Sequence, residues 1–193
     1  MREAEIWRKT KETDVYVKLC LDGSGKASAD TGIGFFDHML HSFAVHSGID
    51  LEVRVKGDLQ VDCHHSIEDV GIVLGQALNQ ALGDKNGIAR FGDSFIPMDE
   101  ALGFCALDVS GRPYLVFDCD FTAPSIGQYD TQMTEEFFRA FAFNGLITLH
   151  LKAEYGKNDH HKCEALFKAC AHALRKAVKV EEADRILSAK GVL

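Results

Sequence analysis

The sequence predicts an α+β fold made of two copies of one ββαβα unit, each a sheet packed against helices. Two observations lead there. A pair of adjacent histidines followed by glutamate, HHSIE at His64–Glu68, returns as HHKCE at His160–Glu164, 96 residues further on. The periodicities around the two motifs also come in the same order, with alternating stretches first and a helical stretch last. The 193 residues read as a single domain of two pseudo-repeats, 12–83 and 100–179. A linker at 84–99 joins them; it holds Gly and Pro and lacks periodicity. Each half alone would be marginal, so the two are expected to pack as pseudo-symmetric partners.

In the first half, DVYVKLCLDG alternates, with Val15, Val17, Leu19 and Leu21 on one face and the turn signal Asp22-Gly23 behind them. A second short strand is expected near Lys26–Ile33. FFDHMLHSFAVHSG reads as a helix, with Asp37 the candidate N-cap and Gly48 the stop. In IDLEVRVKGD, Leu51, Val53 and Val55 alternate with Glu52, Arg54 and Lys56, a half-exposed strand. HHSIEDVGIVLGQALNQALG places Ile67, Val70, Leu74, Ala77, Leu78 and Ala81 at helical spacing up to Gly83. In the second half, ALGFCALDVSG and PYLVFDCDF flank Gly111-Arg112-Pro113 and read as a hairpin. TEEFFRAFAFNGL is a helix capped near Thr134, and ITLHLKAEYG is a strand. HHKCEALFKACAHALRKAV is a helix with Asn158 or Asp159 as cap and an apolar face of Leu166, Phe167, Cys170, Leu174 and Ala177.

Composition excludes several classes. Hydrophobic residues make up 46% and charged residues 26%, which fits a globular chain and not a disordered one. A net charge of -8 argues against nucleic acid or an anionic membrane as the main partner. No apolar run reaches the ~18 residues of a membrane span. The N-terminus lacks an apolar signal region, so a cytoplasmic location is expected. The six cysteines form no CxxC pair and several sit in apolar or alternating runs, as reduced core residues do. Cys63 precedes one histidine pair while Cys163 falls inside the other motif, so a shared zinc–thiolate role is disfavoured.

Each HHxxE motif opens a predicted helix. Residues four apart share a helix face, so His64 with Glu68, and His160 with Glu164, can grip one cation each. His65 and His161 point about 100° away and aim at a different centre. Superposing the halves with a two-residue gap places His38 over Glu136, each a further ligand. The arithmetic suggests two metal ions. Mixed imidazole and carboxylate donors suit Mn, Fe, Co or Zn. A single HHxxE is more often an ordinary surface helix start, but two copies at matching places in a repeat make that reading weak. Structural zinc favours cysteine-rich sites, so two carboxylate-containing centres point to catalysis. His41, His150 and His172 have no repeat partner and read as structural or supporting.

The stretches GIGFFDHMLHSFAVHSGIDL, DCHHSIEDVG, EEFFRAFAFNGLITLHL and GKNDHHKCEALFKA closely resemble the imidazoleglycerol-phosphate dehydratase family, lyases of histidine biosynthesis. The resemblance runs from RKTKET at Arg8 to SAKG at Ser188. It implies dehydration of D-erythro-imidazole glycerol phosphate to imidazole acetol phosphate with two Mn ions per active site. It also implies a duplicated ββαβα fold related to the second domain of ribosomal protein S5. Subunits of the family assemble into cage-like homo-oligomers, expected here at 24 subunits, with active sites between neighbours. By position, His38, His64 and Glu68, completed by His160, match the ligands of one metal. His65, His161 and Glu164 match those of the other. Glu136 stands where many members carry His before the Phe-Phe pair, and carboxylate also serves Mn. Glu12 matches the residue that contacts the reacting glycerol. Arg90, Arg112 and Lys168, with Ser188, Ala189 and Lys190, match the phosphate pocket, where a guanidinium fork suits phosphate. Without the resemblance, each lone Arg or Lys would read as solvated surface.

The reaction needs a route to an unactivated C2 proton. If the substrate imidazole loses its N–H and bridges two cations as imidazolate, it can expel the C3 hydroxyl, after which C2–H becomes acidic. Glu12 is the first candidate for general acid/base and His46 the second. Two other readings use the same ligands: a di-metal hydrolase acting on a phosphorylated small molecule, and a non-enzymatic metal-storing oligomer. The second leaves Arg90 and Arg112 unexplained.

Overall fold

The computed structural model describes residues 1–181 and 186–191 of the chain. β1 (Glu3–Lys9) pairs antiparallel with β2 (Thr13–Cys20), and β2 with β4 (Asp50–Gly57). β3 (Ala27–Asp30) lies parallel on the far side of β4, giving the order β1-β2-β4-β3. α1 (Gly34–Ser47) joins β3 to β4, and α2 (His64–Leu82) follows β4. The second half repeats this topology. β5 (Phe91–Met98), β6 (Ala101–Asp108), β7 (Tyr114–Asp118) and β10 (Thr148–Tyr155) form a sheet of order β5-β6-β10-β7, again with its last strand parallel. Between β7 and α3 (Met133–Gly145) lies a two-stranded excursion, β8 (Ser125–Ile126) and β9 (Tyr129–Asp130). α4 (Asp159–Ala177) closes the repeat.

The helices lie between the two sheets. α2 covers β1 and β2 and packs on α3, while α4 covers β5 and β6 and packs on α1. Helices of opposite halves therefore meet, and one core spans both. Its centre is aromatic: Phe36, Phe137, Phe141 and Phe167 are all buried, with Phe137 stacked on Phe167 at 5.2 Å. Small residues set the α2–α3 approach. A Cβ at Gly71 or Gly75 would stand 2.7 Å from the Phe137 carbonyl oxygen or 2.6 Å from that of Phe141.

The duplicated α+β architecture agrees with the sequence reading, but several elements differ. Each half carries an extra leading strand, so the order is βββαβα. The segment 84–99 is not only a linker, because β5 occupies half of it. Its inward residues are Gly92 and Ser94, since α4 runs close behind: a Cβ at Gly92 would overlap the Ala173 carbonyl. An inner face of small residues leaves no apolar alternation to read. Pro97 is tolerated because β5 is an edge strand. The expected hairpin across Gly111-Arg112-Pro113 does not form; β10 inserts between β6 and β7. Asp37 is not the N-cap of α1, which starts at Gly34. Its carboxylate instead accepts from the Thr31 amide and hydroxyl. Thr134 does not cap α3 but accepts from the buried Tyr129 hydroxyl.

The sheets keep their outer faces exposed. Trp7, Phe95 and Tyr114 are 70%, 59% and 60% exposed. No helix of the described residues is long and apolar enough to cross a membrane.

Candidate active site

Asn158 caps α4, its side-chain oxygen accepting from the amides of His160 and His161. That start places His160, Glu164, Lys168 and His172 at four-residue intervals on one helix face. α1 lies opposite and brings His38 to the same spot. His160 Nε2 is 3.1 Å and His38 Nε2 3.6 Å from Glu164 Oε2. Lys168 Nζ binds the other carboxylate oxygen at 2.6 Å. Burial pushes the Glu164 carboxyl up, but Lys168, His38 and His160 outweigh it and hold it below its usual range. Two turns along, His46 Nδ1 lies 3.1 Å from His172 Nε2, and burial lowers both imidazoles below their ordinary pKa.

The second cluster is built the same way. Asp62 accepts from the His64 amide at 2.7 Å at the start of α2. His64 Nε2 lies 3.6 Å from Glu68, and Glu136 arrives from α3, where Arg139 also binds it. In each trio, His38–His160–Glu164 and His64–Glu68–Glu136, the donor atoms lie within 4.8 Å of one another. His38 and Glu136 thus occupy equivalent places, each reaching the motif of the opposite half. The donor set, imidazole nitrogen and carboxylate oxygen, fits a divalent transition ion. The single chain keeps His64 with Glu68 and His160 with Glu164. The partition implied by the resemblance, with His160 joining His64 and Glu68, does not form within a single chain.

His65 and His161 join neither trio, as their 100° offset requires. His65 Nδ1 is 3.0 Å from Asp58, and its Nε2 faces Glu12 at 3.9 Å. His161 Nδ1 is 2.7 Å from Glu100, and its Nε2 faces Asp99 at 3.6 Å. Glu100 also accepts from the amides of Lys157 and Asn158 at 3.0 and 2.7 Å. The Asn158 amide first, then His161, hold its carboxyl down to about 2.

Arg90 precedes β5 with φ 70, a left-handed conformation uncommon for a side-chain-bearing residue. Its guanidinium grips Asp108 through Nε and Nη2 at 2.7 and 3.0 Å and donates to the Leu187 carbonyl at 2.6 Å. Arg112 reaches the same carboxylate at 3.4 Å. The turn Ser188-Ala189-Lys190 follows directly, the Lys190 amide donating to the Ser188 hydroxyl. Lys168 stays apart, on Glu164 and Met98. Burial pushes the Cys163 thiol up to about 12 and raises Cys63, consistent with core thiols.

Three site residues escaped the sequence reading: Asp58, Glu100 and Asp108. The repeat register could have found Glu100. β2 begins at Thr13 and β6 at Ala101, so Glu100 is the counterpart of Glu12. Nothing in the local spacing marks Asp58 or Asp108.

Fold and site together define a duplicated α+β protein with two pseudo-equivalent His/Glu clusters, and with an arginine pair at the opposite end of α4, where the Arg90 amide donates to the Ala177 carbonyl. Relatives make the class specific. A family model described as imidazoleglycerol-phosphate dehydratase matches residues 31–174. The chain is 57% identical to the imidazoleglycerol-phosphate dehydratase of Streptococcus sanguinis and 59% identical to that of Methanosarcina mazei, in each case over the whole of both chains. The crystal structure of the Staphylococcus aureus enzyme superposes with a TM-score of 0.83 at 38% identity, covering 93% of this chain and 99% of that one. That of the Pyrococcus furiosus enzyme gives 0.83 at 36% identity, covering 97% and 100%. The chain belongs to the imidazoleglycerol-phosphate dehydratase family, and it is an enzyme of the hydro-lyase class.

Proposed function

We propose that the chain dehydrates D-erythro-imidazole glycerol phosphate to imidazole acetol phosphate in histidine biosynthesis, using two divalent metal centres, with Mn the expected ion. The observation that carries this reading is the pair of matching trios, His38–His160–Glu164 and His64–Glu68–Glu136, in a full-length member of the family. These residues would hold the ions, with His65 and His161 presenting Nε2 outward from the trios. When bound, two such ions would supply Lewis acidity toward the imidazole ring of the substrate.

The chain's own groups do the rest. Arg90 and Arg112, already paired with Asp108, take the phosphate, with Ser188, Ala189 and Lys190 closing that pocket, while Lys168 stays on Glu164 beside the His38–His160–Glu164 trio. Glu12 removes the C2 proton or protonates the departing C3 hydroxyl; its carboxylate is solvent-facing and is held by no backbone amide among the described residues. His46, neutral near pH 7 because burial lowers its pKa, supplies the complementary acid/base group. Loss of that proton and hydroxyl as water leaves an enol that tautomerises to the ketone.

The outward direction of His65 and His161, and the exposed aromatic sheet faces, support shared sites in a large homo-oligomer, which we place at 24 subunits. A small phosphorylated imidazole is the partner, with neither nucleic acid nor membrane, and the cytoplasm is the proposed location. Mn-loaded protein incubated with imidazole glycerol phosphate should form the ketone and retain phosphate. Release of free phosphate without ketone would favour the hydrolase reading instead.

A further inference from the structure

The second histidine of each motif is anchored by a carboxylate from outside the motif. His161 Nδ1 meets Glu100 at 2.7 Å, and His65 Nδ1 meets Asp58 at 3.0 Å. An ionised carboxylate only accepts, so in both cases Nδ1 carries the proton and donates it. That fixes the tautomer and leaves the Nε2 lone pair free. Both Nε2 atoms point the same way in their halves, toward the tip of the leading hairpin, where Glu12 or Asp99 stands.

The two anchors arise differently. Asp58 comes from the connection between β4 and α2 of its own half. Glu100 comes from the β5–β6 turn, the place Glu12 holds in the first half. The connection before α4 is three residues shorter than that before α2, and its residue at the place of Asp58, counting on from the strand, is Gly156, which has no side chain to offer. The neighbouring turn supplies the carboxylate instead. Glu100 is drawn into this position by the Lys157 and Asn158 amides. Glu12, its counterpart, has no such backbone bonds and remains available for proton transfer.

We infer that Asp58 and Glu100 are the positioning residues of the two outward histidines, each fixing an imidazole through Nδ1 so that Nε2 is presented to a metal ion. The inference rests on the two-centre reading and adds which residues orient the ligands and why Glu100, unlike Glu12, is not an acid/base. Carboxylates in this relation to a histidine ligand typically change metal affinity by about 10–100-fold.

The test is a Mn titration of the full-length protein, following free Mn by its paramagnetic resonance signal. Wild type, H161A, E100Q and D58N are compared. In E100Q, the Gln carbonyl can keep the backbone bonds but lacks the charge that holds the His161 proton. E100Q should weaken one of the two Mn ions per chain by about 10–100-fold and leave the metal-free protein folded. Excess Mn should then restore turnover. D58N should show the same pattern, and it carries the test if E100Q fails to fold. Wild-type affinity for both ions in E100Q and D58N, with H161A impaired, overturns the assignment while leaving the two-centre reading intact. Fewer than two ions in the wild type overturns that reading and the inference with it.

Discussion

Glu12 ends the turn before β2 and Glu100 the turn before β6, yet only Glu100 is engaged by backbone amides. The same residue type at the same place in the repeat is thus free in one half and locked in the other. Replacing Glu12 with Gln should lower turnover by about 10²–10⁴-fold with metal content unchanged; a near-normal rate at full metal occupancy contradicts its role. A second residue-level expectation concerns His46 and His172. Burial holds both below the ordinary imidazole pKa. The unfolded chain therefore binds more protons than the folded one just below pH ~6.5, so stability falls as pH drops through that value. In metal-free protein, the melting temperature should decline on acidification, and H172Q should flatten the decline. An identical slope in H172Q would show that this pair does not carry the effect.

At the scale of elements, the site depends on helices of opposite halves meeting. α2 and α3 approach closely because Gly71 and Gly75 expose backbone to the Phe137 and Phe141 carbonyls. Gly75→Ala should cost about 1–3 kcal/mol through overpacking and separate Glu136 from His64 and Glu68. Metal should then be lost from that trio before the His38–His160–Glu164 trio. Calorimetric melting with Mn titration reads both effects, and full Mn affinity in a destabilised variant would show that the trio tolerates helix separation. Most of these elements were legible in the sequence. Alternation at Val15–Leu21 and Leu51–Val55 marked half-buried strands, and Gly48, Gly83 and Asn158 marked helix ends that the structure keeps. β1 and β5 were not legible. β1 presents Ala4, Ile6 and Arg8 inward, the last on Asp69, and β5 presents Gly92 and Ser94. Close helices force small or polar residues there, which erases the apolar period. The metal-type donors were legible because i, i+4 spacing is local, whereas Asp58, Glu100 and Asp108 act across turns that spacing does not encode.

On the scale of the whole molecule, duplication gives two sheets with two layers of helices between them, and each trio draws on both halves. The outer sheet faces carry the large aromatic side chains Trp7, Phe95 and Tyr114 in the open, where a neighbouring subunit could cover them. Phe95→Glu should therefore yield smaller assemblies in sedimentation, with activity falling in parallel if sites are shared; full activity in a dispersed variant would argue that each protomer is complete. The proposed chemistry would need both ions, so neither trio should suffice. Titrating metal-free protein with Mn while following imidazole acetol phosphate and free phosphate tests this most directly. Ketone formation should rise until two Mn are bound per chain, with no phosphate released. Full turnover without added metal, or with a single ion per chain, would contradict it.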